Sequence, residues 1–253
     1  MAFSIWLLSV AVSDLVGGLA GFPIRPKRAL LGAVAAVVTC GGTALLGGHS
    51  ITATVVLILV VLASTGVWIV PRVLKHEDEV SQSWASWILV AFFLPGAAVL
   101  AFGDLLPTPT SGLLLEWLRA SSLLSEADPR RLLMIAAVLV YLHATSNAPV
   151  RLILTLAEPK LQQPAGMMRG GRVIGPLERL LVFGFALSGE LAGAALIASA
   201  KSLLRFPEIS SAARRGGDES STTVATLTEY FLVGSLAGWL LALGPLVLFA
   251  YWH

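Results

Sequence analysis

The chain has 253 residues, of which 56% are hydrophobic and 13% are charged, with a formal net charge of +2. Soluble domains carry about 25% charged residues, so this composition excludes an ordinary soluble domain and predicts a multi-pass protein of the cell membrane. The cations form no cluster interleaved with aromatic residues, so we expect no nucleic acid partner. The single cysteine, Cys40, rules out an internal disulfide and any multi-cysteine metal site, and we expect no metal and no cofactor.

Apolar windows of about 20 residues predict the membrane spans. Those expected in the first part, residues 1–103, are about Phe3–Ala20, Ala29–Leu46, Ile51–Val70 and Trp84–Phe102. A Pro/Thr/Ser-rich loop, residues 104–130, contains a short amphipathic stretch, Leu113–Leu124, that we expect at the membrane surface. The C-terminal part, residues 131–253, is predicted to add Leu132–Ala148, Leu177–Phe206 and Tyr230–Tyr251. The expected fold is an all-α transmembrane bundle of six to seven spans in a single membrane domain.

Glu190 lies midway along the apolar stretch Leu177–Phe206. Arg179, Glu190 and Lys201 recur every eleven residues, so a continuous helix would place them on one stripe. The rise from Arg179 to Lys201 would be about 33 Å, close to the roughly 30 Å hydrocarbon core. Glu190 would then lie near the midplane, where ionisable residues are costly and tend to be functional. It is a proton or cation site, the counter-ion to a buried arginine, or a protonated carboxyl hydrogen-bonded across a helix interface.

The distribution of Lys and Arg sets the orientation of membrane proteins. If Arg25, Lys27 and Arg28 lie in the cytoplasm, the predicted spans also place the later cations up to Arg179 on the cytoplasmic side. A full span through Glu190 would then place Lys201 and Arg205 outside. One alternative is a break at Gly189-Glu190 that makes the segment a re-entrant hairpin and leaves six spans. We favour seven spans, because the eleven-residue stripe fits one bilayer thickness.

Asp14 is the other intramembrane acid. It either shares a proton site with Glu190 or lies near the interface and orients its helix. Basic residues near the membrane surfaces suit a phosphate group through charge-assisted hydrogen bonds, although such residues often only extend toward the headgroups. They are Arg151, Arg172, Arg179, Lys201 and Arg205.

Asn147 stands two residues before Pro149 at the end of the predicted fifth span. Its side chain either satisfies the carbonyls that the proline releases or contacts a substrate. Small-residue pairs, Gly17/Gly21, Gly189/Gly193 and Gly234/Gly238, allow close helix contact within the chain or with a partner or second copy.

Four phrases of the C-terminal part occur in a characteristic order. They are SNAPVRL (Ser146–Leu152), GRVIGPLERLL (Gly171–Leu181), AKSLLRFPE (Ala200–Glu208) and TEYFLVGSLAG (Thr228–Gly238). Together they resemble a bacterial membrane-protein family known as domain of unknown function 3307, over about Tyr141 to Leu243. The resemblance implies a helical membrane protein with no assigned activity. It gives special weight to Asn147, Arg151, Arg172, Glu178, Arg179, Lys201, Ser202, Arg205 and Glu229.

Three classes of function fit these residues. The first is transport or handling of an anionic, phosphate-bearing lipid or a small ion, with membrane lipids as partners. The second is a non-catalytic subunit of a larger membrane complex. The third is a membrane enzyme acting on a lipid phosphate, for which the sequence offers no identifiable nucleophile or metal site; we therefore lean away from an enzyme.

Overall fold

A computed structural model describes residues 1–18, 24–74, 81–107, 109, 111–121, 128–157, 171–197, 199–201, 203 and 218–250, with the backbone alone at 171–173, 218–227 and 250. Within these ranges the chain is almost entirely helical and contains no strand, which confirms the predicted all-α fold. The chain divides into two compact units, Met1–Thr145 and Ser146–His253.

The N-terminal unit is built from helices joined by short connections. Its helices are α1 (Ala2–Gly17), α2 (Pro26–Leu46), α3 (Ile51–Leu74), α4 (Gln82–Phe102), α5 (Leu113–Ala120) and α6 (Pro129–Ala144), with a 3₁₀ turn at Gly103–Leu105. Local chemistry sets their ends: Gly18, in the left-handed region at φ 61°, closes α1. Asp128 opens α6 by accepting a 2.9 Å hydrogen bond from the Arg130 backbone N–H.

Helix α1 is the core of this unit and packs against α2, α3, α4 and α6. The Trp6 indole donates a 3.0 Å hydrogen bond to the Ser64 hydroxyl on α3. On α4, a Cβ at Gly96 would lie 2.7 Å from the Trp6 ring, so a larger residue there would force α1 and α4 apart. Because α1 is apolar on most of its circumference, it is buried among its neighbours, as expected for a helix of that pattern.

In the part of the chain that the structure describes, the helices long and apolar enough to cross a membrane are α2, α3, Gln82–Leu105 and Thr228–Phe249. A fifth span results if α6 and the helix after it count as one broken span. These helices indicate a membrane protein. The number is smaller than the six to seven spans expected. One reason is that Gly18 ends α1 after 16 residues, whereas the sequence predicted a span over Phe3–Ala20.

The boundary between the units lies at Thr145/Ser146 rather than in the 104–130 loop that separates the predicted parts. The reason is packing: α5 lies against α2 and α6, and α6 lies against α1. The predicted fifth span, Leu132–Ala148, correspondingly stops at Ala144, and a new helix begins at Asn147.

The C-terminal unit contains four helices in the described ranges: α7 (Asn147–Ala157), α8 (Gly171–Leu187), α9 (Leu191–Lys201) and α10 (Asp218–Ala250). Helices α7 and α8 both pack against α10. Three segments far apart in sequence, α7, α8 and α10, therefore meet in one unit.

The predicted continuous helix Leu177–Phe206 is wrong. Helix α8 ends at Leu187, and a turn follows in which Gly189 has φ 83°, a conformation that favours glycine. The Glu190 backbone N–H then bonds to the Phe185 carbonyl at 2.8 Å. Lys201 at the end of α9 reaches back to Glu178 on α8, so the two helices form an antiparallel pair, the α8–α9 hairpin. The break is the alternative that the sequence left open at Gly189-Glu190.

Candidate functional site

A carboxylate lies at the centre of the C-terminal unit. Glu178 on α8 is buried, and its Oε2 lies 2.5 Å from Lys201 Nζ at the end of α9. Its Oε1 accepts a 3.0 Å hydrogen bond from the Trp239 indole on α10. Both carboxylate oxygens thus have a donor, which is how a buried charge is tolerated in an apolar interior.

Arg179, the next residue along α8, is also buried but turns to a different partner. Its guanidinium donates a hydrogen bond to Asn147 Oδ1 at the start of α7. Two glycines make room for it: a Cβ at Gly238 would lie 3.6 Å from Arg179 Nη1, and one at Gly175 would lie 3.4 Å from Asn147 Oδ1. Glu178 and Arg179 therefore join α8 to the other three helices of the unit.

Lys201 is more accessible than the carboxylate with which it pairs. Its side chain is 21% exposed, whereas that of Glu178 is 8% exposed. The ammonium also lies 5.4 Å from the centre of the Phe231 ring on α10, within cation–π range. An ammonium has three N–H donors, so Lys201 can keep its bond to Glu178 and still donate toward its exposed side.

These residues form the Glu178 cluster: Asn147, Glu178, Arg179, Lys201, Phe231 and Trp239. Within it, the Glu178 carboxylate is paired with the Lys201 ammonium, and the Arg179 guanidinium is bonded to the Asn147 amide oxygen. Among the described residues, no group of three or more His, Cys, Asp or Glu is placed to hold a metal ion.

Asp14 lies in the other unit and has its own partners. Its Oδ1 is 3.2 Å from Arg72 Nη1, and the Trp68 indole donates to Oδ2 at 3.1 Å. The side chains of Arg72 and Asp14 are 0% and 1% exposed, and the guanidinium lies 4.6 Å from the centre of the Trp68 ring. Asp14 is thus part of a sealed ion pair between α1 and α3.

Glu190 is exposed in the turn of the α8–α9 hairpin, not at the middle of a span. Arg151 on α7 is half-buried, and Glu229 on α10 is exposed. Arg172 is in the first turn of α8, but its side chain lies outside the described residues, as do Ser202 and Arg205 entirely. Of the predicted residues, the structure therefore joins Asn147 to Arg179 and Glu178 to Lys201.

Four residues around the two carboxylates are not predicted from the sequence: Arg72, Trp68, Phe231 and Trp239. In the sequence, Arg72 counts only among the cations that set orientation. One signal was present for Arg72. Three consecutive helices that alternate in direction bring the C-terminal ends of α1 and α3 to the same side, and Asp14 and Arg72 each lie near such an end.

The small-residue pair on α10 serves packing within the chain. A Cβ at Gly234 would lie 3.7 Å from Leu154 Cδ1 on α7, and Gly238 lies against Arg179 on α8. In the pair Gly189/Gly193, a Cβ at Gly193 would lie 2.5 Å from the Phe185 ring, so this glycine lets α9 leave close to α8. Gly21 of the third pair lies outside the described residues.

No family model matches the chain, and neither the curated proteins nor the solved structures include a significant match. The resemblance to domain of unknown function 3307 therefore stays a prediction.

Proposed function

We propose that this chain is a multi-pass protein of the cell membrane that binds the phosphate of an anionic lipid, or a small anion, at Lys201. The observation that carries the proposal is the unequal burial of the Lys201–Glu178 pair. Glu178 is fixed by Lys201 and Trp239 inside the unit, while the ammonium is still partly exposed. A cation with spare donors, held in place by a buried carboxylate, suits a phosphate oxygen.

The hairpin supports placing this site at a membrane surface. From Glu178 to the turn at Ser188 the chain rises about 15 Å, half of the roughly 30 Å hydrocarbon core. A re-entrant hairpin of that depth returns Lys201 to the side of Arg179. A full span would place Lys201 on the opposite side of the membrane from Arg179, against the rule that cations concentrate on the cytoplasmic side. The hairpin avoids this conflict.

The proposed family membership gains support from the same cluster. Each of the four phrases contributes a member: Asn147, the pair Glu178-Arg179, Lys201 and Phe231. Residues that are far apart in sequence but belong to the resemblance thus meet in one place. We propose that the phrases mark this cluster.

Native mass spectrometry of the detergent-solubilised protein tests the function. Phosphatidylglycerol and phosphatidylcholine are added separately to the wild type, to Lys201→Gln and to the double variant Glu178→Gln/Lys201→Gln. The double variant keeps a neutral pair in place of the ions, so it does not leave a buried unpaired carboxylate. Lys27→Gln, which removes an exposed lysine from the N-terminal unit, is the matched control.

We expect phosphatidylglycerol to bind about tenfold more weakly to both Lys201 variants, as for one lost charge-assisted hydrogen bond. Phosphatidylglycerol binding to Lys27→Gln and phosphatidylcholine binding to every variant are expected to stay unchanged. Competition by inorganic phosphate would identify a small anion rather than a lipid as the ligand. Wild-type phosphatidylglycerol binding by the folded double variant would contradict the proposal.

The second candidate, a subunit of a larger complex, is favoured by one observation. Glu190 and the adjoining Leu191 are both exposed at the tip of the hairpin, where a partner helix has access to a carboxylate and an apolar side chain. Purification of Glu190→Gln beside the wild type tests it. A co-purifying protein lost only from Glu190→Gln would favour the subunit, and identical composition of the two samples would count against it.

A further inference from the structure

Helix α5 presents three different faces around its eight residues. Leu115 and Leu118, three apart and on one side, are buried. Leu113 and Trp117, four apart, share another side and are 68% and 65% exposed. Glu116 and Arg119 share a third side, between the first two, and are exposed as well.

The buried side of α5 is explained by its neighbours, since the helix packs against α2 and α6. Its start is fixed by close contact with the turn between α2 and α3: a Cβ at Gly112 would lie 2.6 Å from the Gly47 carbonyl carbon. The side that carries Leu113 and Trp117 is exposed, and no described helix of the unit covers it.

Helix α5 starts beside the end of α2, where other helices of the unit also begin or end. A Cβ at Gly47, just after α2, would lie 2.9 Å from Met1 Cε, and one at Gly103, just after α4, would lie 3.4 Å from Ala2 Cβ. The start of α1 and the ends of α2 and α4 therefore lie together. Because α2 and α4 are long enough to cross a membrane, this end of the unit is at the level of a membrane surface.

Exposed apolar side chains continue from the ends of these helices to α5. Leu46 at the end of α2, Ile51 at the start of α3, and Phe102 and Leu105 after α4 are all exposed. Tryptophan is enriched at membrane surfaces, where its amphipathic ring lies at the level of the headgroups. The charged side of α5 provides the contact with water that such a helix needs.

We propose that α5 is an interfacial helix that docks on the lipid of the membrane beside its own unit. Leu113 and Trp117 insert at the boundary between headgroups and acyl chains, Glu116 and Arg119 face water, and Leu115 and Leu118 attach the helix to α2 and α6. The docking surface is separate from the Glu178 cluster and does not depend on the function proposed for it.

Fluorescence of single-cysteine variants tests this assignment. The background is Cys40→Ala, which removes the chain's only cysteine. Trp117→Cys reports on the proposed lipid side and Arg119→Cys on the water side; Leu113→Cys replaces Trp117→Cys if that variant does not fold. Each is labelled with the environment-sensitive dye NBD and reconstituted into phosphatidylcholine vesicles, with iodide on both sides or with nitroxide-labelled acyl chains.

We expect the dye at position 117 to be quenched by the nitroxide lipid and protected from iodide, and the dye at position 119 to show the reverse. Equal iodide quenching at the two positions would overturn the proposal, because α5 would then be surrounded by water. Protection of position 117 from both quenchers would overturn it too, since protein rather than lipid would then cover that side.

Discussion

Asp14 and Arg72 depend on each other because both are buried in an apolar unit. Without Arg72, the Asp14 carboxylate would stay buried without the cation it contacts. The Trp68 indole, which donates to Asp14 and lies against Arg72, is part of the same arrangement. The cost of removing one member of a buried ion pair exceeds the cost of removing both. The pair therefore acts as a connection between α1 and α3 more than as a site for a ligand.

Arg72→Met is expected to lower the free energy of unfolding by about 3–5 kcal/mol, because Asp14 is left buried without its partner. The double variant Asp14→Ala/Arg72→Met is expected to recover most of that loss. SDS titration of the protein in mixed micelles measures both. Additive losses in the double variant would show that the two side chains contribute independently.

His49, in the turn after α2, gives the stability of the N-terminal unit a pH dependence. Burial lowers the pKa of His49 below its usual value. An unfolded histidine titrates near about pH 6.5, so between the two pKa values the unfolded chain binds more protons than the folded chain. Stability from this residue is therefore complete above about pH 6.5 and is lost as the pH falls toward the folded pKa.

Thermal unfolding in detergent across this range measures the effect. The midpoint of the wild type is expected to fall with pH more steeply than that of His49→Gln. His143→Gln, which replaces an exposed histidine of the same unit, is expected to keep the wild-type slope. A wild-type slope in His49→Gln would contradict the assignment to His49.

At the scale of elements, the α8–α9 hairpin depends on the turn at Gly189. A residue with a Cβ at φ 83° meets the steric penalty of the left-handed region, about 1–2 kcal/mol. Gly189→Ala is therefore expected to lower the free energy of unfolding by that amount, as measured by SDS titration.

Gly184→Ala is the matched control in the same hairpin. Gly184 lies inside α8, and a Cβ there meets nothing within 4 Å, so alanine is expected to stabilise by about 0.5–1 kcal/mol through its better helix propensity. Equal effects of the two substitutions would mean that the turn does not require the positive φ.

The sequence predicted the long helices well and the hairpin poorly, for one physical reason. Residues 177–206 are apolar on both sides of the turn, so hydropathy alone does not distinguish one full span from a hairpin. Ser188-Gly189-Glu190 permits a break there but does not decide it. The break depends on one backbone angle and on the contact between Glu178 and Lys201, which are 23 residues apart. By contrast, α2, α3 and α4 run close to their predicted bounds, because polar, proline or glycine residues flank each apolar run.

The candidate site was predictable in part. Asn147, Glu178, Arg179 and Lys201 stand out in the resemblance, but their pairing requires the packing of α7 and α8 on α10, which no single segment encodes. The indole partners, Trp68 and Trp239, are harder to predict than these residues. A tryptophan in an apolar helix fits the pattern of an ordinary membrane or core residue, and only its partner shows that its N–H matters.

At the scale of the whole molecule, both units contain, among their described residues, a buried carboxylate that accepts from an indole and pairs with a cation. In the N-terminal unit the cation, Arg72, is sealed; in the C-terminal unit Lys201 is partly exposed. The same combination of groups therefore has two roles. The sealed pair joins helices, and we propose that the partly exposed pair also binds a ligand.

The measurement that tests this claim most directly is the distance from Lys201 Nζ to lipid phosphorus. Lysine labelled with ¹⁵N gives few signals, because the lysines are Lys27, Lys75, Lys160 and Lys201, and Lys201→Arg assigns the last. In phosphatidylglycerol vesicles, solid-state NMR is expected to show the Lys201 signal dephased by ³¹P, and the dephasing is expected to vanish when Glu178→Gln releases the ammonium. A Lys201 signal untouched by ³¹P in the folded wild type would contradict the account.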